Sequence, residues 1–234
     1  MMAESHKQPI TLALEISQAN GSVAMSNNNG EVSSRKVASG RRDKDDTMPA
    51  IDELAKELSI NPSTIELVVV STGPGGFTGL RTAVSIAKML SITTRANIIP
   101  IESAVVTVCS AGFDTGSYFV VSGVKQDTFW LSNVTCKDCE FECEAGLTST
   151  AGFVEKVHNT SGVFADSFAP DSILQICRNC NTQIHTPQPE AATLLGLGHR
   201  RYSQSNFIQP ANLLPLYPRE PEAVRIWNEK NNPA

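Results

Sequence analysis

Residues 71–81 constrain this chain more than any other segment, because they place four glycines and a proline between a strand and a helix. The segment reads STGPGGFTGLR, follows the β-branched run at 67–70 and opens a helical pattern over about 78–90. Glycine lets the backbone turn sharply, and the first turn of a helix leaves its N–H groups unpaired. The junction therefore suits either a bound anion or the close approach of a partner backbone.

The first half of the chain alternates strands and helices. Apolar and β-branched runs predict strands at about 10–16, 22–25, 31–37, 66–72 and 97–101. Apolar spacing of i, i+3, i+4 and i+7 predicts helices at about 47–58 and 78–90, and a third from residue 103. Three strands joined by tight turns and followed by alternating helices and strands imply a mixed sheet covered by helices.

The second half repeats this order less clearly. Its patterns predict strands near 117–123, 128–135 and 140–144, and helices near 149–157, 171–177 and 188–201. The repeated order predicts two related α/β lobes. We expect a flexible N-terminal tail at 1–8, a first lobe at 9–108, a degenerate second lobe at 109–205 and an extended C-terminal tail at 206–234. Tyr217 and Trp227 are the candidate anchors of that last tail.

The charge balance argues against autonomous binding to nucleic acid. The chain carries 24 acidic and 19 basic residues among 234, a formal net charge of −5, so it has no basic footprint. Residues 1–9 lack the apolar core of a secretion signal, and no window approaches 18 uninterrupted apolar residues. We expect a cytoplasmic protein without membrane contact, in which the six cysteines are reduced thiols or metal ligands rather than a disulfide framework.

Three segments carry a resemblance to a known family. GPGGFTGLR at 73–81 nearly reproduces the signature GPGSFTGLR, and LALEIS at 12–17 is similar to an opening LAIDTS strand. Pro215, Tyr217 and Arg219 fit a C-terminal P-x-Y-x-R pattern. In these segments the chain resembles the TsaB family, also called YeaZ. The resemblance implies a two-lobed actin-like ATPase (ribonuclease H-like) fold, with mixed sheets flanked by helices.

The resemblance also implies a function. Members of the TsaB family are non-catalytic partners that activate the catalytic subunit TsaD in forming N6-threonylcarbamoyladenosine at position 37 of tRNA. It implies a TsaE-like ATPase as a further partner. From the charge balance we expect contact with tRNA only through the complex, and we expect the partner surface to form a homodimer when the chain is alone. We expect no cofactor.

The alternative hypothesis is an autonomous nucleotide-dependent enzyme of the sugar-kinase or metallopeptidase-like type. Glu15, at the end of the first strand, is the candidate for the acidic residue that such an ATPase needs. The glycine run lacks the Lys-Ser/Thr ending of a P-loop, and no paired glycines follow residues 162–167. The four histidines form no H-E-x-x-H pair. The sequence therefore predicts no catalytic residues.

The second predicted helix favours a partner surface. Its apolar residues fill an arc of about 160°, which is wider than one contact with a sheet requires. The alternative is that the whole arc belongs to the core. Phe77 is expected to fill the core under the turn, and Arg81 to reach a carboxylate or carbonyl across an interface. The candidate partner-binding residues are Met48, Ile51, Leu58, Phe77, Leu80, Arg81, Val84, Met89 and Leu90.

Two ligand hypotheses remain beside the partner surface. An anion at the glycine junction would involve Glu15, Gly75, Gly76 and Thr78. A zinc ion is an alternative for two C-x-x-C pairs, whereas the interpretation that we favour is reduced structural thiols and no metal site. The four cysteines concerned are Cys136, Cys139, Cys177 and Cys180.

Overall fold

The computed structural model describes residues 8–38, 46–125, 127–138, 140–166, 169–218, 227 and 231. Cys139 and Arg219 lie outside the described residues. So do nearly all of the predicted N-terminal tail and most of the chain after residue 218.

The first sheet has five strands in the order β3-β2-β1-β4-β5. The first three strands pair antiparallel through two tight turns, and β4 and β5 add parallel to β1. Parallel pairing places β1 and β4 in the interior of the sheet, which explains why every residue of both strands is buried. The strands are β1 (Thr11–Glu15), β2 (Asn20–Ser26), β3 (Val32–Ala38), β4 (Leu67–Ser71) and β5 (Asn97–Ile101).

The second sheet repeats this topology in the order β10-β9-β6-β7-β8. Three long strands pair antiparallel, and two short strands then add parallel. The sequence patterns missed β9 and β10, because strands of three and two residues are too short to show a period. The strands are β6 (Gly116–Lys125), β7 (Thr128–Lys137), β8 (Glu140–Ser149), β9 (Gly162–Phe164) and β10 (Ile184–His185).

Three helices follow the strands of each sheet in the same order, so the predicted duplication of an α/β lobe is present. The helices of the first repeat are α1 (Thr47–Glu57), α2 (Phe77–Thr94) and α3 (Ser103–Ser110). Those of the second are α4 (Thr150–Lys156), α5 (Asp171–Asn179) and α6 (Ala191–Tyr202). All six coincide with helices that the sequence predicts.

The third helix of each repeat packs on the sheet of the other repeat. Helix α6 contacts β1, β2, β4 and β5, while α3 contacts β6, β7 and β8. His199 of α6 lies 2.9 Å from the Thr11 hydroxyl of β1, and Gly198 lies directly on Val69 of β4. The two lobes therefore share one apolar core, which includes Val69, Val105, Val134 and Leu194.

The opposite face of the first sheet is covered by α1 and α2. Their buried faces supply Leu54, Ala83 and Ala87 to a second core cluster. Leu213 from the C-terminal part of the chain is fully buried in the same cluster. Within the described residues, no helix combines the length and the apolar character needed to cross a membrane.

Candidate partner-binding surface

The glycine-rich loop between β4 and α2 is bonded to three separate parts of the chain. Gly76 N–H donates to the Ser17 carbonyl at 2.7 Å, and Leu216 N–H donates to the Thr72 carbonyl at 2.7 Å. The Gly73 carbonyl accepts from Ser103 N–H at 2.9 Å. These bonds fix the start of α2 relative to the first strand, to α3 and to the C-terminal part of the chain.

Two of the glycines in this loop are sterically required. Gly73 has φ of +108°, a backbone conformation in which a side chain would be strained. A Cβ on Gly75 would overlap the Ser17 backbone. The loop thus allows the close approach of two backbone segments of this chain, and the approach of a partner backbone stays a prediction.

The four anion candidates have different environments. The N–H group of Gly76 is occupied by the Ser17 carbonyl, whereas Gly75 and Thr78 are exposed. Glu15 lies beneath the loop and is only 1% exposed. A buried carboxyl group next to the loop opposes an anion there whenever it is ionised. Binding of an anion at this junction stays a prediction.

Glu15 is held by the residue that receives the glycine loop. Its Oε1 accepts from the backbone N–H of Ser17 at 3.0 Å and from the Ser17 hydroxyl. Its Oε2 is buried and has no hydrogen-bond partner among the described residues. Burial raises the pKa of Glu15 above its ordinary value, and the polar groups of Ser17 and Ser71 beside the carboxyl oppose this only in part.

The predicted partner residues divide into a buried and an exposed set. Ile51, Leu80 and Val84 are buried inside the first lobe, at 6%, 0% and 6% exposure. They support the surface from below and do not reach solvent. Leu58 and Leu90 are half-buried at its margin. The exposed set is Met48 of α1 with Phe77, Arg81 and Met89 of α2.

One exposed residue of this face was missed from the sequence. Ile92 is 72% exposed, the highest value of any large apolar side chain described. The predicted helix ended near residue 90, whereas α2 continues to Thr94. The signal was present, because Ile92 lies three residues after Met89 on the same side of the helix. The exposed apolar side chains of α2 therefore lie near its two ends, Phe77 at the start and Met89 and Ile92 towards the end, with the polar residues Thr78, Arg81 and Ser85 exposed between them.

Phe77 and Arg81 are bound to the C-terminal part of the chain. The Phe77 ring is 42% exposed and lies 4.9 Å from the ring of Tyr217. The Arg81 guanidinium stacks over Phe77 at 3.7 Å, and its Nε donates to the Tyr217 hydroxyl at 3.1 Å. The prediction that Phe77 fills the core was wrong, because Leu80 occupies that place instead.

Tyr217 is an anchor of the tail, while Trp227 is 62% exposed.

A cavity of about 590 Å³ opens beside these side chains. Met48 of α1 forms one wall, and α2 forms the other with apolar and polar side chains: Phe77, Thr78, Arg81, Thr82, Ser85 and Ile86. The cavity is therefore a shallow groove between the two helices that the sequence selects for partner binding.

The described cysteines do not form a metal centre. Cys136 belongs to the core shared by the lobes, whereas Cys177 belongs to a separate cluster within the second lobe. No group of three or more potential ligands occurs among the described residues. The Cys180 sulfur lies 3.8 Å from His158, a single contact. Burial raises the pKa of Cys136 to about 11, as expected of a structural thiol.

Fold and duplication define the class of protein: a two-lobed actin-like α/β protein. A crystal structure described as an uncharacterized protein with similarity to peptidase YeaZ from Pseudomonas aeruginosa superposes with a TM-score of 0.71 at 16% identity. That match covers 90% of this chain and 100% of the other. YeaZ from Pseudomonas aeruginosa gives a TM-score of 0.67 at 15% identity, covering 89% and 99%.

The family model of TsaD, tRNA N6-adenosine threonylcarbamoyltransferase, matches residues 37–145. This range contains the glycine loop and α2. No curated protein matches the sequence. The resemblance to the TsaB (YeaZ) family is thus confirmed at the level of the fold, over nearly the full length of the YeaZ structures.

Proposed function

We propose that this chain is a TsaB-type partner protein, which binds and activates a TsaD-like catalytic subunit in forming N6-threonylcarbamoyladenosine at position 37 of tRNA. The observation that carries the proposal is the fold of YeaZ combined with an exposed apolar face on α2, at Phe77, Met89 and Ile92. Large apolar side chains exposed along one helix, with an arginine and small polar residues between them, favour a protein interface.

The family match adds support for the partner. A sequence related to TsaD over residues 37–145 is what a paralogue of the catalytic subunit would retain. Two subunits of one fold can pair through equivalent helices, because each presents the same kind of surface. We propose that α1 and α2 pair with the corresponding helices of the TsaD-like subunit, and with those of a second copy when the subunit is absent.

The environment of Glu15 favours a non-catalytic role. An ATPase of this fold needs an ionised acidic residue at the end of the first strand to organise the metal and the phosphates. Here that residue is buried, its pKa is raised, and the loop that follows β4 is bonded to Ser17 directly beside it. We propose that adenine nucleotide is hydrolysed by a separate TsaE-like ATPase.

The proposal also covers how tRNA is contacted and where in the cell the protein acts. The net charge of −5 makes an independent tRNA site unfavourable, so tRNA is contacted through the complex. The proposed place of action is the cytoplasm, where the substrate tRNA is found.

Reconstitution of the modification reaction tests this function. Purified TsaD-like and TsaE-like proteins from the same organism are supplied with threonylcarbamoyl donor, ATP and tRNA, with and without this chain. We expect modified adenosine, measured by mass spectrometry of digested tRNA, to rise at least tenfold when the chain is present. Equal modification with and without the chain would contradict the proposal.

A further inference from the structure

We propose that Tyr217 is a positioning residue of the partner surface, holding the Arg81 guanidinium ready to bind a carboxylate of the catalytic subunit. This inference rests on the proposed function. It assigns a role to the C-terminal segment, residues 206–218, which neither the sequence patterns nor the comparisons connect with binding.

The first step is that Arg81 is held by Phe77 and Tyr217 and has no charged partner in the described part of the chain. Its guanidinium stacks on Phe77 at 3.7 Å, and its Nε donates to the Tyr217 hydroxyl at 3.1 Å. The side chain is exposed, and no carboxylate lies within ion-pair distance among the residues that the structure describes. With Nε engaged, the two terminal nitrogens remain for a bidentate carboxylate.

The second step is that Tyr217 is itself held in place by its neighbours along the chain. Ile208 forms a β-bridge with Ile98 at the edge of the first sheet, and Leu213 is fully buried beneath α2. Leu216 N–H donates to the Thr72 carbonyl, and Pro218 lies against Gly123 of the second lobe. The hydroxyl that contacts Arg81 is therefore part of a rigid framework.

The third step is charge complementarity. Helix α2 carries Arg81 and Lys88 but no aspartate or glutamate in its 18 residues, although the chain as a whole is acidic. A helix whose charged side chains are all cationic, with apolar side chains exposed near its two ends, fits a partner surface with acidic and apolar side chains. The groove between Met48 and Phe77 accepts the apolar side chain, and Arg81 lies on its wall for the carboxylate.

Holding an arginine before binding lowers the entropy lost when the complex forms. Tyr217→Phe removes only the hydroxyl and keeps the ring that stacks on Phe77. We expect about fivefold to tenfold weaker binding to the TsaD-like subunit, since a hydrogen bond to a charged group is lost. Tyr202→Phe in α6 makes the same chemical change away from α2, and we expect unchanged affinity.

The test is a double-mutant cycle with isothermal titration calorimetry on full-length chains. We expect Arg81→Met to weaken binding and to flatten its dependence on salt, because one ion pair is lost. If Tyr217 acts through Arg81, Tyr217→Phe has no further effect in the Arg81→Met background. Additive effects, or full affinity of Tyr217→Phe, would overturn the inference.

The possible failures can be told apart. If the wild-type chain does not bind the TsaD-like subunit, the proposed function fails, whatever the variants do. If it binds and Tyr217→Phe binds equally well, only the role of Tyr217 fails. If the variants change self-association of this chain but not binding to the subunit, the carboxylate belongs to a second copy, which contradicts the inference as stated. Thermal unfolding of each variant verifies that the fold is intact.

Discussion

Glu15 is a carboxyl group in an environment that opposes its ionisation, because it is only 1% exposed. The unfolded chain ionises this carboxyl near its ordinary pKa of 4.5, whereas burial raises the pKa in the folded protein. The folded state therefore holds the proton more tightly. The contribution of Glu15 to stability is fully present below pH 4.5 and is lost as the pH rises through the folded-state pKa.

Replacement of Glu15 by glutamine removes this dependence on pH. The glutamine side chain keeps an oxygen to accept from Ser17 and cannot ionise, so we expect the free energy of unfolding to fall less between pH 4.5 and pH 7.5 in the variant than in the wild type. Urea denaturation at about these two pH values measures the difference. Glu142→Gln, at an exposed position in β8, is the control and is expected to behave as the wild type. Identical pH dependence for Glu15→Gln would show that Glu15 has the same pKa folded and unfolded.

At the scale of elements, α6 belongs to the second repeat but packs on the sheet of the first. The stability of the first lobe therefore depends on α6. Gly198 lies against Val69, where an added Cβ would overlap the valine side chain, whereas Gly196 on the outer side of the same helix has open space. We expect Gly198→Ala to lower the free energy of unfolding by about 1–3 kcal/mol through overpacking. We expect Gly196→Ala to raise it by roughly 0.5–1 kcal/mol through helix propensity.

Chemical denaturation of the two alanine variants provides the comparison. A loss of stability confined to Gly198→Ala would establish that α6 supports the sheet of the first lobe. Equal effects of the two substitutions would mean that α6 is not packed on Val69 in solution.

The sequence predicts most elements of this fold, because each long strand or helix has its own apolar period. It does not predict where α3 and α6 pack, since an apolar helix face does not record which sheet covers it. The short strands β9 and β10 carry no period at all. The sequence predicts which residues lie on the candidate surface only in part, because an apolar period does not show which of its residues are exposed. The arc of α2 identifies Leu80 and Met89 alike, and only the fold separates buried from exposed members.

Tyr217 illustrates the same limit over a longer distance. The motif P-x-Y-x-R marks the residue, yet 136 positions separate it from Arg81, and no local pattern joins the two. Their contact follows from Leu213 and Leu216, which bring the C-terminal segment onto α2.

At the scale of the whole molecule, the two lobes share one apolar core, and the outer side of α2 is exposed in the described part of the structure. The shared core, the glycine loop and the C-terminal segment all hold α2 in a fixed position. Three apolar side chains on the outer side of α2 are exposed to solvent: Phe77, Met89 and Ile92. A protein with this design is suited to bind a partner without changing its own shape.

Binding of the TsaD-like subunit to charge variants of α2 is the decisive measurement for this surface. Val84 and Leu80 are unsuitable positions, because a buried glutamate would disturb the fold. Met89→Glu changes a side chain that is 47% exposed, and Leu147→Glu, on the edge strand β8 at 56% exposure, is the matched control. We predict that Met89→Glu weakens binding roughly tenfold or more, while Leu147→Glu binds as the wild type does. Full affinity of a folded Met89→Glu variant would contradict the assignment of α2 as the partner-binding surface.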